Sequence, residues 1–258
     1  MGSASPIGVF DSGIGGLSVL RALRAELPHE NFLYFADTGQ APYGEREESF
    51  VALRSAEIAG QLFHEHAIKA LVVACNTATA AAIDLLRSQH PGLPLIGVEP
   101  ALKPAAGITR TGRIAVLATR ATLASARFAA LHDSLRAAAQ FVLQPCDGLA
   151  AAIEADDAAH VAALCEQYTR AAGSFGLQDG QIDTLVLGCT HYPLAAFEFT
   201  RLLGSQVRLV ETGEAVARQT RRLLQAAGRL NESGGGVQLL ATGSLPALER
   251  AARRWQVV

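Results

Sequence analysis

Two cysteines with matching surroundings are the residues of this sequence best suited to chemistry. Cys75 follows the apolar run 71–74, and Cys189 follows the apolar run 185–188. Each is followed by two polar residues and then by a segment with helical spacing. Short apolar runs of this kind are typical of buried parallel strands, so each cysteine is expected at a strand–helix junction. The positive end of a helix dipole lowers the pKa of a thiol there.

A pair of thiols in equivalent positions favours general acid–base chemistry at a single carbon. One thiolate can remove a proton from one face of the carbon while the other thiol delivers a proton to the opposite face, which inverts a stereocentre. Carbon acids beside an amino-acid carboxylate are weak, so the developing carbanion needs stabilisation. Asp11, at the end of a strand in the same half as Cys75, and His191, two residues after Cys189, are the natural auxiliaries. Further polar residues follow predicted strands and could bind a charged substrate: Ser12, Asn76, Thr77, Thr190 and the backbone around Gly44.

Other candidate motifs have simpler interpretations. Cys146 has no matching counterpart, Cys165 lies in the middle of a predicted helix (158–172), and buried cysteines are most often small hydrophobic residues. None of the four cysteines forms a CxxC pair, so no metal site is expected. The glycines of residues 13–16 lack the third glycine of a dinucleotide fingerprint, since position 18 is Ser18. A tight turn that offers N–H groups to a small anion fits this run better.

Apolar runs alternate with Ala/Leu/Arg-rich helical segments along the whole chain, which predicts a parallel α/β fold. The predicted strands are 7–10, 31–36, 70–74, 95–98, 113–118, 140–143, 184–188, 207–210 and 237–241, and a closing helix starts near Pro246. The repeat around the two cysteines predicts two related parallel-sheet lobes, residues 1–98 completed by 210–258, and residues 99–209. Because ligands bind beyond the carboxyl ends of parallel strands, the active site is expected in the cleft between the lobes.

Composition excludes several classes of function. The net charge is −2 and no basic stripe occurs, so no nucleic-acid partner is expected. No apolar run reaches the roughly 20 residues of a membrane span, so no membrane association is expected. The first residues lack a cationic segment followed by an apolar run, so no signal peptide is predicted and a cytoplasmic location is expected.

Seven segments together resemble one known family. They are FDSGIGG (10–16), YFAD (34–37), PYG (42–44), ACNTA (74–78), GVEP (97–100), LAT (117–119) with Thr122, and GCTHYPL (188–194). Over nearly its whole length the chain is similar to glutamate racemase. The resemblance implies two α/β lobes and a homodimer. It also implies interconversion of L- and D-glutamate without pyridoxal phosphate, metal or other cofactor, which supplies D-glutamate for bacterial peptidoglycan.

The resemblance also implies roles for individual residues. Cys75 would act on the D enantiomer with help from Asp11, and Cys189 on the L enantiomer with help from His191. The substrate contacts it implies are Asp11, Ser12, Tyr43, Gly44, Asn76, Thr77, Thr190 and His191. Supporting positions are Asp37, Glu154, Thr119 and Thr122.

Three alternatives stay open at this point. A sister racemase for aspartate or a hydantoin would share the two-thiol logic. A binding protein could keep the fold without catalysis. A cysteine hydrolase needs one nucleophile and would leave the second cysteine without a role.

Overall fold

The computed structural model describes residues 2–258, which divide into two compact α/β units. The first unit comprises residues 2–98 and 213–258, and the second comprises residues 99–212. The first unit is therefore discontinuous in sequence. Each unit is built around its own parallel sheet.

The sheet of the first unit has five parallel strands in the order β4-β3-β1-β2-β9. The strands are β1 (Ile7–Asp11), β2 (Phe32–Ala36), β3 (Ala70–Val73), β4 (Leu95–Gly97) and β9 (Val237–Ala241). Its helices are α1 (Leu17–Glu26), α2 (Glu48–His66), α3 (Asn76–Gln89), α10 (Gly213–Ala226) and α11 (Leu245–Arg254). The last strand extends the sheet by pairing with β2, where Phe32 lies opposite Val237.

The sheet of the second unit has four parallel strands in the order β6-β5-β7-β8. The strands are β5 (Arg113–Ala118), β6 (Gln140–Pro145), β7 (Thr184–Leu187) and β8 (Arg208–Val210). Its helices are α4 (Leu102–Ile108), α5 (Arg120–Ala124), α6 (Ala126–Asp133), α7 (Leu149–Glu154), α8 (Ala158–Ala172) and α9 (Ala196–Leu203).

Alternating side chains of the first sheet enter two different apolar clusters. Ile7 and Val9 pack with residues of α1, α10 and α11, whereas Phe10 packs with residues of α2 and α3. Successive side chains of a strand point to opposite faces, so both faces of this sheet are covered by helices. This double coverage explains why the strands read as nearly continuous apolar runs.

The predicted α/β fold with parallel sheets is confirmed. Each predicted strand lies within two residues of an observed one, the largest difference being β6, which continues to Pro145. Among residues 2–258, no helix is long and apolar enough to cross a membrane.

Candidate active site

Cys75 lies directly beyond β3 and begins a helix. It is the N-cap residue of α3, and its Sγ accepts a hydrogen bond from the backbone N–H of Ala78 at 3.4 Å. The thiol is 6% exposed, and its Sγ lies 3.8 Å from the Oγ of Ser12, which follows the neighbouring strand β1. A backbone N–H and a helix N-terminus both favour a thiolate at this sulfur.

Asp11 ends β1 and is fully buried. Its Oδ2 accepts hydrogen bonds from the backbone N–H groups of Gly13 at 3.3 Å and Gly16 at 2.7 Å. A Cβ at Gly16 would lie 2.7 Å from the Asp11 Cβ and 2.8 Å from the Tyr34 hydroxyl, so only glycine fits there. The expectation that this turn offers its N–H groups to a small anion is corrected, because Asp11 takes two of them.

Asp37 and Tyr43 form a buried hydrogen-bonded pair beyond β2. The Tyr43 hydroxyl donates to Asp37 Oδ2 at 2.6 Å, and Arg54 of α2 binds both oxygens of the same carboxylate. Burial opposes ionisation of Asp37, but hydrogen bonds from Arg54, Tyr43 and Thr242 outweigh it and lower its pKa. Burial, and then the bond to Asp37, raise the pKa of Tyr43, so the phenol stays protonated and donates.

The remaining polar positions of the first unit also lie beyond strand ends. Asn76 and Thr77 are buried in the first turn of α3, where the Asn76 side-chain amide lies 3.5 Å from the carbonyl of Val98. Gly44 is partly exposed in the 3₁₀ turn Tyr43–Glu45. All residues predicted for this half therefore lie at one edge of one sheet.

Cys189 has a different backbone setting from Cys75, and this corrects the expected symmetry. It lies just beyond β7 and is 7% exposed, but it does not begin an α-helix. A bend and the 3₁₀ turn Tyr192–Ala195 come first, and α9 starts only at Ala196. Pro193, which has no backbone N–H, lies in this 3₁₀ turn and favours a short turn over an immediate α-helix.

His191 lies between the Cys189 sulfur and the Glu154 carboxylate. Its Nδ1 lies 3.7 Å from the Cys189 Sγ, and its Nε2 lies 2.6 Å from Oε1 of Glu154, the last residue of α7. Burial alone would lower the pKa of His191, but hydrogen bonds with Cys189 and Glu154 raise it well above the ordinary value. This shift favours the imidazolium form, in which Nε2–H would donate to Glu154 and Nδ1–H would point to the sulfur.

Three more predicted residues lie at the same edge of the second sheet. Thr119 follows β5 as the N-cap of α5, and its Oγ1 accepts from the backbone N–H of Thr122 at 3.2 Å. The two threonine hydroxyls are 2.9 Å apart. Thr190 is buried directly after Cys189. The threonine pair builds the local backbone, since its mutual bonds are those of a helix cap.

Cys146 and Cys165 are buried, and burial favours the neutral thiol form of both. Burial and then the nearby Cys189 raise the pKa of Cys146, and burial raises the pKa of Cys165 to about 12. Sequence analysis did not select Tyr192, which lies three residues after Cys189. Its hydroxyl donates to the backbone carbonyl of Cys146 at 3.4 Å and so connects the two cysteine segments. Arg54 and Thr242, which bind the Asp37 carboxylate, were also not selected from the sequence. In the described part of the chain, no cluster of three or more His, Cys, Asp or Glu side chains could hold a metal ion.

Comparison with known proteins decides the family. A sequence model of the Asp/Glu/Hydantoin racemase family matches residues 15–220. The chain belongs to this racemase family. A glutamate racemase from Pseudomonas paraeruginosa is 47% identical over 245 residues, covering 94% of this chain and 90% of the relative. A second racemase of that name, from Pseudomonas syringae pv. tomato, is 48% identical and covers 89% and 82% respectively.

Solved racemases share the fold. A glutamate racemase isoform from Bacillus anthracis superposes with a TM-score of 0.84 at 32% identity, covering 98% of this chain and 94% of its own. The Escherichia coli glutamate racemase, solved with L-glutamate and the activator UDP-MurNAc-ala, gives a TM-score of 0.82 at 30% identity, with coverage of 97% and 94%. The resemblance inferred from the motifs is confirmed.

Proposed function

We propose that this chain is a glutamate racemase in which Cys75 and Cys189 exchange a proton at Cα of the substrate. The main support is that a buried cysteine follows an interior strand of each sheet, Cys75 after β3 and Cys189 after β7. A polar side chain lies beside each sulfur, Ser12 beside Cys75 and His191 beside Cys189. Relatives that are 47–48% identical over most of the chain and are named glutamate racemases support glutamate over aspartate or a hydantoin.

The Cys189 side supports proton removal from L-glutamate. The Cys189 thiolate takes the Cα proton and becomes a thiol, while His191 holds its positive charge beside the sulfur and against Glu154. The electron pair left on Cα is stabilised by the substrate's own carboxylate and by groups that bind it. The backbone near Gly44, together with Ser12, Asn76, Thr77 and Thr190, supplies donors for the charged groups of the substrate.

The Cys75 side completes the inversion. The Cys75 thiol delivers its proton to the opposite face of Cα, which forms D-glutamate and leaves a thiolate stabilised by the N-terminus of α3. Asp11 is the acid/base auxiliary on this side. The reverse reaction uses the same groups in the opposite order. The proposal requires that both sulfurs reach one carbon from opposite directions.

Isotope incorporation tests the proposed reaction. Purified protein without added cofactor, incubated with L-glutamate in deuterium oxide, should yield D-glutamate with deuterium at Cα, resolved by chiral chromatography and mass spectrometry. The label is expected because the donating thiol equilibrates with solvent. Aspartate and a hydantoin serve as parallel substrates. Inversion of glutamate without label would refute the thiol mechanism, and no turnover of glutamate would refute the substrate.

The two thiols are tested one at a time. Cys75→Ala and Cys189→Ala should each reduce racemisation by about 10³-fold or more, as expected when an essential acid/base group is removed. Cys165→Ala is the matched control, because it removes a buried thiol of α8 that has no part in the proposal. Activity near that of the wild type in either test variant would remove that cysteine from the mechanism.

Two further features are proposed on family grounds. The protein forms a homodimer, and it works in the cytoplasm, where D-glutamate enters peptidoglycan synthesis. Light scattering after gel filtration should give twice the mass of the chain. Fractionation of the source cells should place the protein with cytoplasmic enzymes.

A further inference from the structure

Both oxygens of the Asp37 carboxylate are fully engaged by three different parts of the first unit. Oδ2 accepts from the Tyr43 hydroxyl at 2.6 Å and from Arg54 Nε at 2.8 Å. Oδ1 accepts from Arg54 Nη2 at 2.8 Å and from the Thr242 hydroxyl at 2.8 Å. Arg54 lies on α2, and Thr242 follows β9, so one carboxylate joins a turn, a helix and the returning strand. We name these four residues the Asp37 clamp.

The Asp37 clamp contacts the Tyr43–Glu45 turn through the side chain of Tyr43. The Tyr43 ring is 1% exposed and packs edge-on against Phe10 at 6.2 Å between ring centroids and against Phe50 at 6.5 Å. It belongs to the same apolar cluster as Cys75. The Tyr43 side chain is therefore held at its hydroxyl by Asp37 and at its ring by Phe10 and Phe50.

The charge balance of the Asp37 clamp depends on Arg54. Asp37 is wholly buried, and an isolated buried carboxylate would be costly to ionise. The guanidinium of Arg54 binds it in a two-pronged geometry, which is the strong form of this interaction. The Arg54 side chain is itself 26% exposed, so its charge keeps contact with water. An ionised Asp37 is in turn the acceptor that holds the Tyr43 hydroxyl.

We infer that Arg54 and Thr242 are positioning residues for substrate binding, acting through Asp37 and Tyr43 on the Tyr43–Glu45 turn. The inference rests on the proposed function, in which the backbone near Gly44 binds glutamate. In this inference Arg54 and Thr242 bind Asp37 and do not contact the substrate themselves. Their effect is on the place of the turn, so affinity for glutamate changes more than the chemistry at Cα.

A set of variants measured for KM and kcat separately tests the inference. Arg54→Gln and Thr242→Val should each raise KM for both enantiomers about tenfold while kcat changes less than about threefold, the pattern of lost binding rather than lost chemistry. Arg87→Gln is the matched control, because Arg87 is a half-exposed arginine of α3 that pairs with Asp84. It should keep both constants. Arg54→Lys, which retains charge without the two-pronged geometry, should fall between the wild type and Arg54→Gln.

A double-mutant cycle with Tyr43→Phe separates the proposed route from a general structural role. If Arg54 acts through the Tyr43 hydroxyl, Arg54→Gln adds little to the rise in KM once that hydroxyl is absent. Full additivity would overturn the inference, and so would a lower melting temperature with unchanged KM. If Arg54→Gln does not fold, Thr242→Val and Arg54→Lys carry the same test. A wild-type protein inactive on glutamate would instead refute the proposed function.

The pH profile gives a second readout that a structural defect would not move. Without Arg54 the pKa of Asp37 rises, since hydrogen bonds from Arg54 are a principal cause of its lowering. The acid limb of 1/KM in Arg54→Gln should therefore move to higher pH than in the wild type. An unshifted acid limb would contradict the role of Arg54 in keeping Asp37 ionised.

Discussion

Replacing Glu154 with glutamine should weaken the Cys189 side of the site and leave the Cys75 side unchanged. Glutamine keeps the length of the side chain and an oxygen that can accept from His191 Nε2, so the change removes charge alone. The two groups are 2.6 Å apart, and their side chains are only 5% and 18% exposed. Little solvent is present to compensate for the lost charge.

The magnitude follows from the strength of such bonds. Hydrogen bonds to charged groups contribute about 1.5–3 kcal/mol and are about twice as strong as neutral ones, so Glu154→Gln should cost about 1–2 kcal/mol. Removing the negative charge of Glu154 should also lower the pKa of His191, since the contact with Glu154 is one cause of its rise. Loss of the same free energy from the transition state lowers kcat/KM by about 5- to 30-fold. The alkaline limb that reports the imidazolium should move to lower pH.

Deuterium at Cα of the substrate gives the decisive assay. Mirror-image substrates have equal free energies in water, so kcat/KM must fall equally in the two directions. The isotope effects need not be equal. With the Cys189 step slowed, Cα-deuterated L-glutamate should show a larger isotope effect on kcat/KM than in the wild type. Cα-deuterated D-glutamate, which loses its deuteron to Cys75, should show a smaller one.

Two results would refute this reasoning. One is a Glu154→Gln enzyme with kcat/KM within about twofold of the wild type, because the ion pair would then contribute nothing to the reaction. The other is an equal change of both isotope effects, since the defect would then not be confined to Cys189. Glu166→Gln is the control, because Glu166 forms an exposed pair with Arg170 in the same unit and should change neither quantity.

Three further predictions concern the framework of the site. Gly188→Ala should reduce activity at least about tenfold, because the new Cβ, next to Cys189, would lie 2.8 Å from the carbonyl oxygen of Leu117. Gly60→Ala in α2 is the contrast, because its Cβ meets no atom within 4 Å. It should stabilise the protein by about 0.5–1 kcal/mol in urea unfolding. Lys69→Met should lower the free energy of unfolding by about 3–5 kcal/mol, since it leaves the buried Glu30 carboxylate without its ion-pair partner. Recovery of stability when Glu30→Gln is added would confirm this cause. Asp183→Asn should lose about 1.5–3 kcal/mol at pH 7. Burial opposes ionisation of Asp183, but hydrogen bonds led by Thr109 lower its pKa. Its stabilisation is therefore present above about pH 4 and is lost as pH falls through the folded pKa. A wild-type advantage that does not decline as the pH is lowered below about 4 would contradict this.

Sequence patterns are sufficient to predict where the strands lie and which polar residues follow them. Buried strands covered on both faces produce runs that are easy to recognise, which is why β3 and β7 were placed correctly before the two cysteines. The departure at Cys189 has a local cause. Pro193 and the 3₁₀ turn delay α9, and this detail of backbone geometry is weaker in the sequence than the hydrophobic pattern.

The contacts of Asp37 could not be predicted from local sequence. Arg54 lies 17 residues away and Thr242 lies 205 residues away, and neither belongs to a motif. A polar residue in a helix or after an edge strand is ordinarily a surface residue, so its type gives no signal. Only the pairing of β9 with β2 brings Thr242 to this carboxylate.

The divided first unit has a consequence for synthesis on the ribosome. Residues 99–212 form a continuous stretch, so that unit has its whole sheet available once it has emerged. The other unit lacks its edge strand and two helices until the final 46 residues arrive. Domains fold as units during translation, so the unit of residues 99–212 matures before the first unit, although residues 2–98 are made earlier. Until then β2 has an open edge, and the hydroxyl of Thr242 is absent from Asp37.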